Sequence, residues 1–135
     1  MKQKIFLASM IVLLFSSCIK KDEHLSVLLA TKMLVNKTWY LDYSITANKT
    51  KSYLGQSTYF INFIENNNSI TDSDGILGNY YITETEGGLT IQIIGKTVAG
   101  NSISYSYNVD MMGDKHMVLL YNANNVEIKQ YYSTR

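Results

Sequence analysis

The chain of 135 residues has no proline, one cysteine, one arginine and two histidines, and each scarcity narrows what it does. Proline cannot donate to a sheet ladder, so its absence leaves no segment barred from strand structure. The basic side chains number 12 and the acidic ones 11. A near-neutral chain without clustered Lys and Arg is a poor partner for nucleic acid, whose binding rests on such clusters. His24 and His116 stand far apart with no carboxylate cluster between them, so no metal site is expected. Asp72-Ser73-Asp74-Gly75 begins like a calcium loop but lacks the third ligand and the later glutamate, and reads as a turn. No Gly-x-Ser-x-Gly, Walker or Rossmann pattern occurs, and no nucleophile–base pair can be nominated. The expectation is a non-enzyme with no catalytic residue and no cofactor. The most apolar run, Ile5 to Phe15, is too short for a membrane-spanning helix, which takes about 20 apolar residues.

That run is informative in another way. Met1-Lys2-Gln3-Lys4 is basic, the next eleven residues are mostly apolar, and Ser16-Ser17-Cys18 follows. This is the plan of a secretory signal. With a cysteine directly after the small pair, it resembles the lipobox of bacterial lipoproteins. The resemblance implies a signal peptide over 1–17 and Cys18 as the lipidated first residue, carrying acyl chains such as palmitate on its sulfur and amine. One acyl chain binds a membrane only marginally, and stable anchoring takes two signals, which one such cysteine supplies. Acylation leaves no free thiol, which excludes disulfides, thiol catalysis and cysteine–metal sites. Loss of residues 1–17 leaves 118 residues with 10 basic and 11 acidic side chains, enough for one domain with a core. Residues 18–24 are read as a lipidated tether. Within it, Lys21-Asp22-Glu23 resembles the export signal of surface lipoproteins of the Bacteroidetes. The implied location is the bacterial outer membrane, lipid-anchored, at the cell surface or on the periplasmic face.

Residues 25–135 form the expected domain. Leu25, Leu28, Leu29 and Met33 fall at helical spacing, which predicts one short helix ending near Asn36, with Asp22 and Glu23 at its positive end. From Lys37 onward, turn signals recur about every ten residues, at 51–55, 66–68, 74–75, 86–88, 100–101, 113–115 and 122–125. Between them the chain alternates. Trp39, Leu41, Tyr43 and Ile45 share one face, as do Leu89, Ile91 and Ile93; Ile103, Tyr105, Tyr107 and Val109; and Val126 and Ile128. Tyr59 to Ile64 is apolar on both faces. Seven or eight strands are predicted, at about 38–46, 57–64, 69–72, 77–84, 89–97, 102–110, 116–122 and 125–133. Short links disfavour parallel crossovers. The fold class expected is all-β, an antiparallel up-and-down meander, as a sandwich or as a barrel of about eight strands, whose closure would remove exposed strand edges.

The order of a lipobox cysteine, a short helix, Leu34-Val35-Asn36-Lys37-Thr38-Trp39 and a meander resembles the lipocalin-like lipoproteins of the Bacteroidetes. Thr38-Trp39 stands for the family's first-strand Gly-Thr-Trp, with Lys37 in the place of the glycine. Gly78-Asn79-Tyr80-Tyr81-Ile82 matches its Gly-x-Tyr-x-Ile piece. The resemblance implies a lipocalin-like barrel, Trp39 as a structural core residue, and a late basic residue packed over it. Lys129 and Arg135 are the candidates, and Lys129 is preferred because Arg135 ends the chain.

The eleven tyrosines are the main binding signal. Tyr43, Tyr80, Tyr105, Tyr107 and Tyr121 are the candidates to face the interior. Each brings apolar area and a hydroxyl that needs a partner when buried. A barrel so lined holds a small apolar or amphipathic ligand. The same rings can instead fill a small barrel. The chain is then a non-enzymatic envelope or surface interaction protein with no ligand cavity and an exposed aromatic patch including Tyr131 and Tyr132. Both alternatives stand on the sequence.

Overall fold

The computed structural model of the chain describes residues 26–47 and 49–135. Cys18, the signal segment and the tether lie outside the described residues. Helix α1 spans Val27–Leu34. Ser26 caps it, its hydroxyl accepting the Leu29 N–H at 3.3 Å; Asp22 and Glu23, expected at its positive end, lie outside the described residues. The helix buries Ala30 and Leu34 and turns Leu28 outward, 67% exposed. It stops where Asn36 takes a positive φ of 59°, a conformation asparagine tolerates better than most residues. Asn36 then donates its backbone N–H to the Phe63 carbonyl at 2.8 Å and enters the sheet.

Nine strands follow: β1 (Lys37–Thr46), β2 (Lys49–Ser52), β3 (Phe60–Ile64), β4 (Ser69–Asp72), β5 (Leu77–Thr85), β6 (Gly88–Lys96), β7 (Ser102–Met112), β8 (His116–Ala123) and β9 (Val126–Ser133). All pairings are antiparallel, and from β3 each strand pairs with the next. β1 closes the sheet. One of its edges takes β3 along Lys37–Tyr40 and β2 along Tyr43–Thr46; its other edge takes β9. Because β2 and β3 occupy one place, the result is a closed eight-strand barrel with one short helix, the all-β architecture expected. Strand β2 escaped the sequence reading because Lys49-Thr50-Lys51-Ser52 has no apolar residue and all four are exposed, so it carries no alternation.

The turns are built where their residue types fall. Asn124 and Asn125, both at positive φ, make the two-residue link between the paired Ala123 and Val126. Inside the Asp72–Gly75 turn the Asp72 Oδ1 accepts the N–H groups of Asp74 (3.0 Å) and Ile76 (2.9 Å). The tetrapeptide is a turn, as expected. At one place the wall closes on itself. Gly78 and Gly95 pair across β5 and β6, and a Cβ on Gly78 would lie 2.3 Å from the Ile94 carbonyl oxygen. Only glycine permits that approach of two backbones.

The barrel has two different ends. At one, β1, β4, β6 and β8 begin and α1 packs over the opening. Leu34 and Val35 of this end join Trp39, Phe63, Ile70, Tyr80, Ile91, Met117 and Leu119 in one buried core. Trp39 has no exposed surface, and its Nε1 donates to the Leu34 carbonyl at 2.8 Å, so the indole's one polar group is satisfied. At the other end, where β1, β4, β6 and β8 finish, no helix covers the mouth among the described residues.

Candidate functional site

The register decides which side chains reach the open end. Tyr105 and Tyr107 of β7, Tyr121 of β8, and Gln130 and Tyr132 of β9 point inward there, beside Leu41 of β1, Ile61 of β3 and Asp72 of β4. Together with Tyr59, Phe60, Ile76 and the rim residues Ser73 and Asp74, they line a cup of about 240 Å³. A larger hollow, of about 440 Å³, lies on the outer surface by Ile45, Val126 and Lys129, but it has no aromatic ring in its lining. The cup is the better binding geometry: aromatic rings form much of its wall, and hydroxyl, amide and carboxylate groups converge on the same space.

Its rings touch one another. Tyr107 meets Tyr105 and Tyr121 edge to face, with centroids 6.3 and 5.4 Å apart. Burial pushes the hydroxyls of Tyr107, Tyr121 and Tyr132 to ionise above the ordinary tyrosine range, so all three stay neutral donors at physiological pH. The Tyr132 hydroxyl donates to Gln130 Oε1 at 3.0 Å. Burial also raises the Asp72 carboxyl, against the lowering effect of the backbone N–H groups it accepts. Asp72 forms no ion pair with any described residue.

Three of the five tyrosines expected inside, Tyr105, Tyr107 and Tyr121, line this cup. Tyr80 does point inward, but into the filled part of the barrel, where it packs edge to face on Phe63 at 5.2 Å. Its hydroxyl is buried with no hydrogen-bond partner among the described residues. Tyr43 lies on the outer face, edge to face with Tyr131 at 6.3 Å. The reason is a β-bulge. Leu41 pairs with Tyr132 and Tyr43 with Tyr131, so Asp42 is an extra residue and the alternation of β1 flips after it. Tyr132, expected in an exposed patch with Tyr131, is buried in the cup wall.

The basic residues also differ from expectation. Lys129 sits on the outside, its Nζ 2.7 Å from Asp110 and 5.5 Å from the Tyr131 ring centre. The cation over Trp39 is Lys37, 5.6 Å from the indole centre, whose Nζ also donates to the Asp114 carbonyl at 2.9 Å. The residue in the glycine's place thus ties the first strand to the β7–β8 turn. Arg135 is held between Asp42, at 3.8 Å, and the Tyr40 ring, at 4.6 Å.

Compared with known proteins, the chain matches no family model, no curated protein and no solved structure. Its site is therefore read from its own residues. Among the cup residues missed from sequence are Tyr59, Asp72, Gln130 and Tyr132. Extending the Val126–Ile128 alternation by two steps places Gln130 and Tyr132 on the inner face. Ile70 and Asp72 stand two apart in the same way. Among the described residues no group of three His, Cys, Asp or Glu side chains is placed to hold a metal, and no helix is long and apolar enough to cross a membrane.

Proposed function

We propose that the chain is a lipid-anchored, lipocalin-like binding protein of the bacterial envelope that carries a small amphipathic ligand in the cup and catalyses no reaction. The observation that supports this reading is the division of the interior. Trp39, Phe63, Tyr80, Ile91 and Met117 fill one end, while Tyr105, Tyr107, Tyr121 and Tyr132 surround open space at the other. A cup of about 240 Å³ lies below the roughly 300–1,000 Å³ of pockets for drug-sized ligands, so the ligand is small. The rings supply apolar contact; the hydroxyls and Gln130 supply orientation.

The anchor in this proposal rests on Cys18 and the basic and apolar segments before it. The test of the carrier role is native mass spectrometry on protein purified from its own host. The expected spectrum shows a small adduct that leaves on denaturation. A bare mass in every preparation favours the interaction protein with a functionally empty barrel.

A further inference from the structure

The cup has a sign. Its lining includes two carboxylates, Asp72 and Asp74, and no lysine, arginine or histidine. The basic side chain nearest in sequence to the rim residue Tyr59 is Lys51, which stands outside the lining, 5.0 Å from the Tyr53 ring centre. Asp72 points inward, as its pairing opposite Ile61 requires, and is only partly exposed. Its Oδ1 is held by two backbone N–H groups, which fixes the carboxylate before any ligand arrives. No described residue offers it a counter-charge.

A second observation is independent of the carboxylates. Tyr107 is 9% exposed and lines the same cup, yet its hydroxyl makes no hydrogen bond with any described residue. The hydroxyl itself is not sealed off: it borders the open space of the cup and is available to pair with a ligand group there. Around it stand the faces and edges of Tyr105 and Tyr121. Aromatic faces attract cations, more strongly where water is partly excluded.

From this placement we infer that the cup takes an organic cation: an ammonium group on a short apolar stem, its charge against Asp72, its N–H donated to the Tyr107 hydroxyl, and its stem among the tyrosine rings. This rests on the carrier reading and narrows it. An anionic amphiphile, such as a fatty carboxylate, would meet two like charges within the lining, where no cation stands; Lys51 lies outside it, beyond Tyr59, a placement that disfavours the anion.

Titration calorimetry on the mature chain tests this with three probes of matched size: 2-phenylethylammonium, 2-phenylethanol and phenylacetate. The ammonium is expected to bind about tenfold or more tighter than the alcohol, and the carboxylate weakest. Asp72→Asn keeps an oxygen for the two backbone N–H groups and should remove most of the ammonium's advantage over the alcohol. Tyr107→Phe keeps the ring and should weaken the ammonium several-fold. Equal binding of all three, tighter carboxylate binding, or an ammonium preference that survives Asp72→Asn overturns the cation assignment and leaves the carrier reading standing. Failure of all three to bind at millimolar concentration overturns both.

Discussion

The Nε1 of Trp39 reaches the carbonyl of Leu34 at 2.8 Å, and this one hydrogen bond joins the helix to the barrel it covers. Leu34 ends α1 and Trp39 lies on β1, both without exposed surface. The contact is therefore made in a dry environment, where a lost partner is not replaced by water.

Trp39→Phe keeps most of the ring and removes the donor. It is expected to cost about 1–3 kcal/mol, the range for leaving a buried acceptor unpaired. Trp39→Ala adds a cavity and should cost about 3–5 kcal/mol. Urea unfolding followed by circular dichroism measures both. A loss below about 0.5 kcal/mol for Trp39→Phe would show that the helix is only loosely seated.

The paired glycines of β5 and β6 make a sharper contrast. A Cβ on Gly78 would lie 2.3 Å from the Ile94 oxygen, and one on Gly95 would lie 2.6 Å from the Leu77 oxygen. Each →Ala variant should lose about 1–3 kcal/mol, as overpacking does. Gly87→Ala is the control, since its Cβ would approach nothing closer than 3.9 Å. It should stay within about 0.5 kcal/mol of the parent. Thermal unfolding of the three variants side by side checks the ranking.

Asp72 gives the stability a pH dependence of known sign. Burial is the largest influence on its carboxyl and raises it above the reference value of 3.8. The folded chain thus holds this proton more tightly than the unfolded chain does. Stability from this group is present below that reference and is lost as pH rises through the higher, folded value. Asp72→Asn keeps the acceptor and cannot ionise. Relative to the parent, it should gain stability as pH is raised from about 3.5 toward neutrality. Denaturant titrations at several pH values check the trend, and a gain that appears on acidification instead would contradict it.

Cys18→Ala tests the proposed anchor apart from the barrel. The variant is expected in the soluble fraction of the envelope, with the parent in the membrane fraction. Retention of the variant with the membrane would remove the acyl anchor from the proposal.

Most of the architecture was legible because the strands are amphipathic and the turns are marked by asparagine and glycine. The strand boundaries from Ser69 to Ser133 lie within about two residues of those expected from sequence. What misled was local. One inserted residue, Asp42, turned Tyr43 from the inner to the outer face, and a bulge has no signature in an alternating run. Tyr80 was placed on the right face but at the wrong depth: alternation tells inside from outside, not filled end from open end. The carboxylate in the cup was hidden in another way. Asp72 serves the turn through Oδ1, and turn chemistry alone explains an aspartate there.

Helix α1 and the cup lie at opposite ends of the barrel, and this sets how the protein would stand in its envelope. The chain enters the described domain at Ser26, on the helix side. With acyl chains on Cys18, the seven residues between Cys18 and Ser26 span at most about 25 Å. Under the proposed anchor, the sealed end would sit next to the bilayer and the mouth would look away from it. A ligand in such a cup would come from, and return to, the surrounding medium rather than the membrane beneath. So placed, the barrel would serve as a collector and not as a conduit for the lipids that hold it.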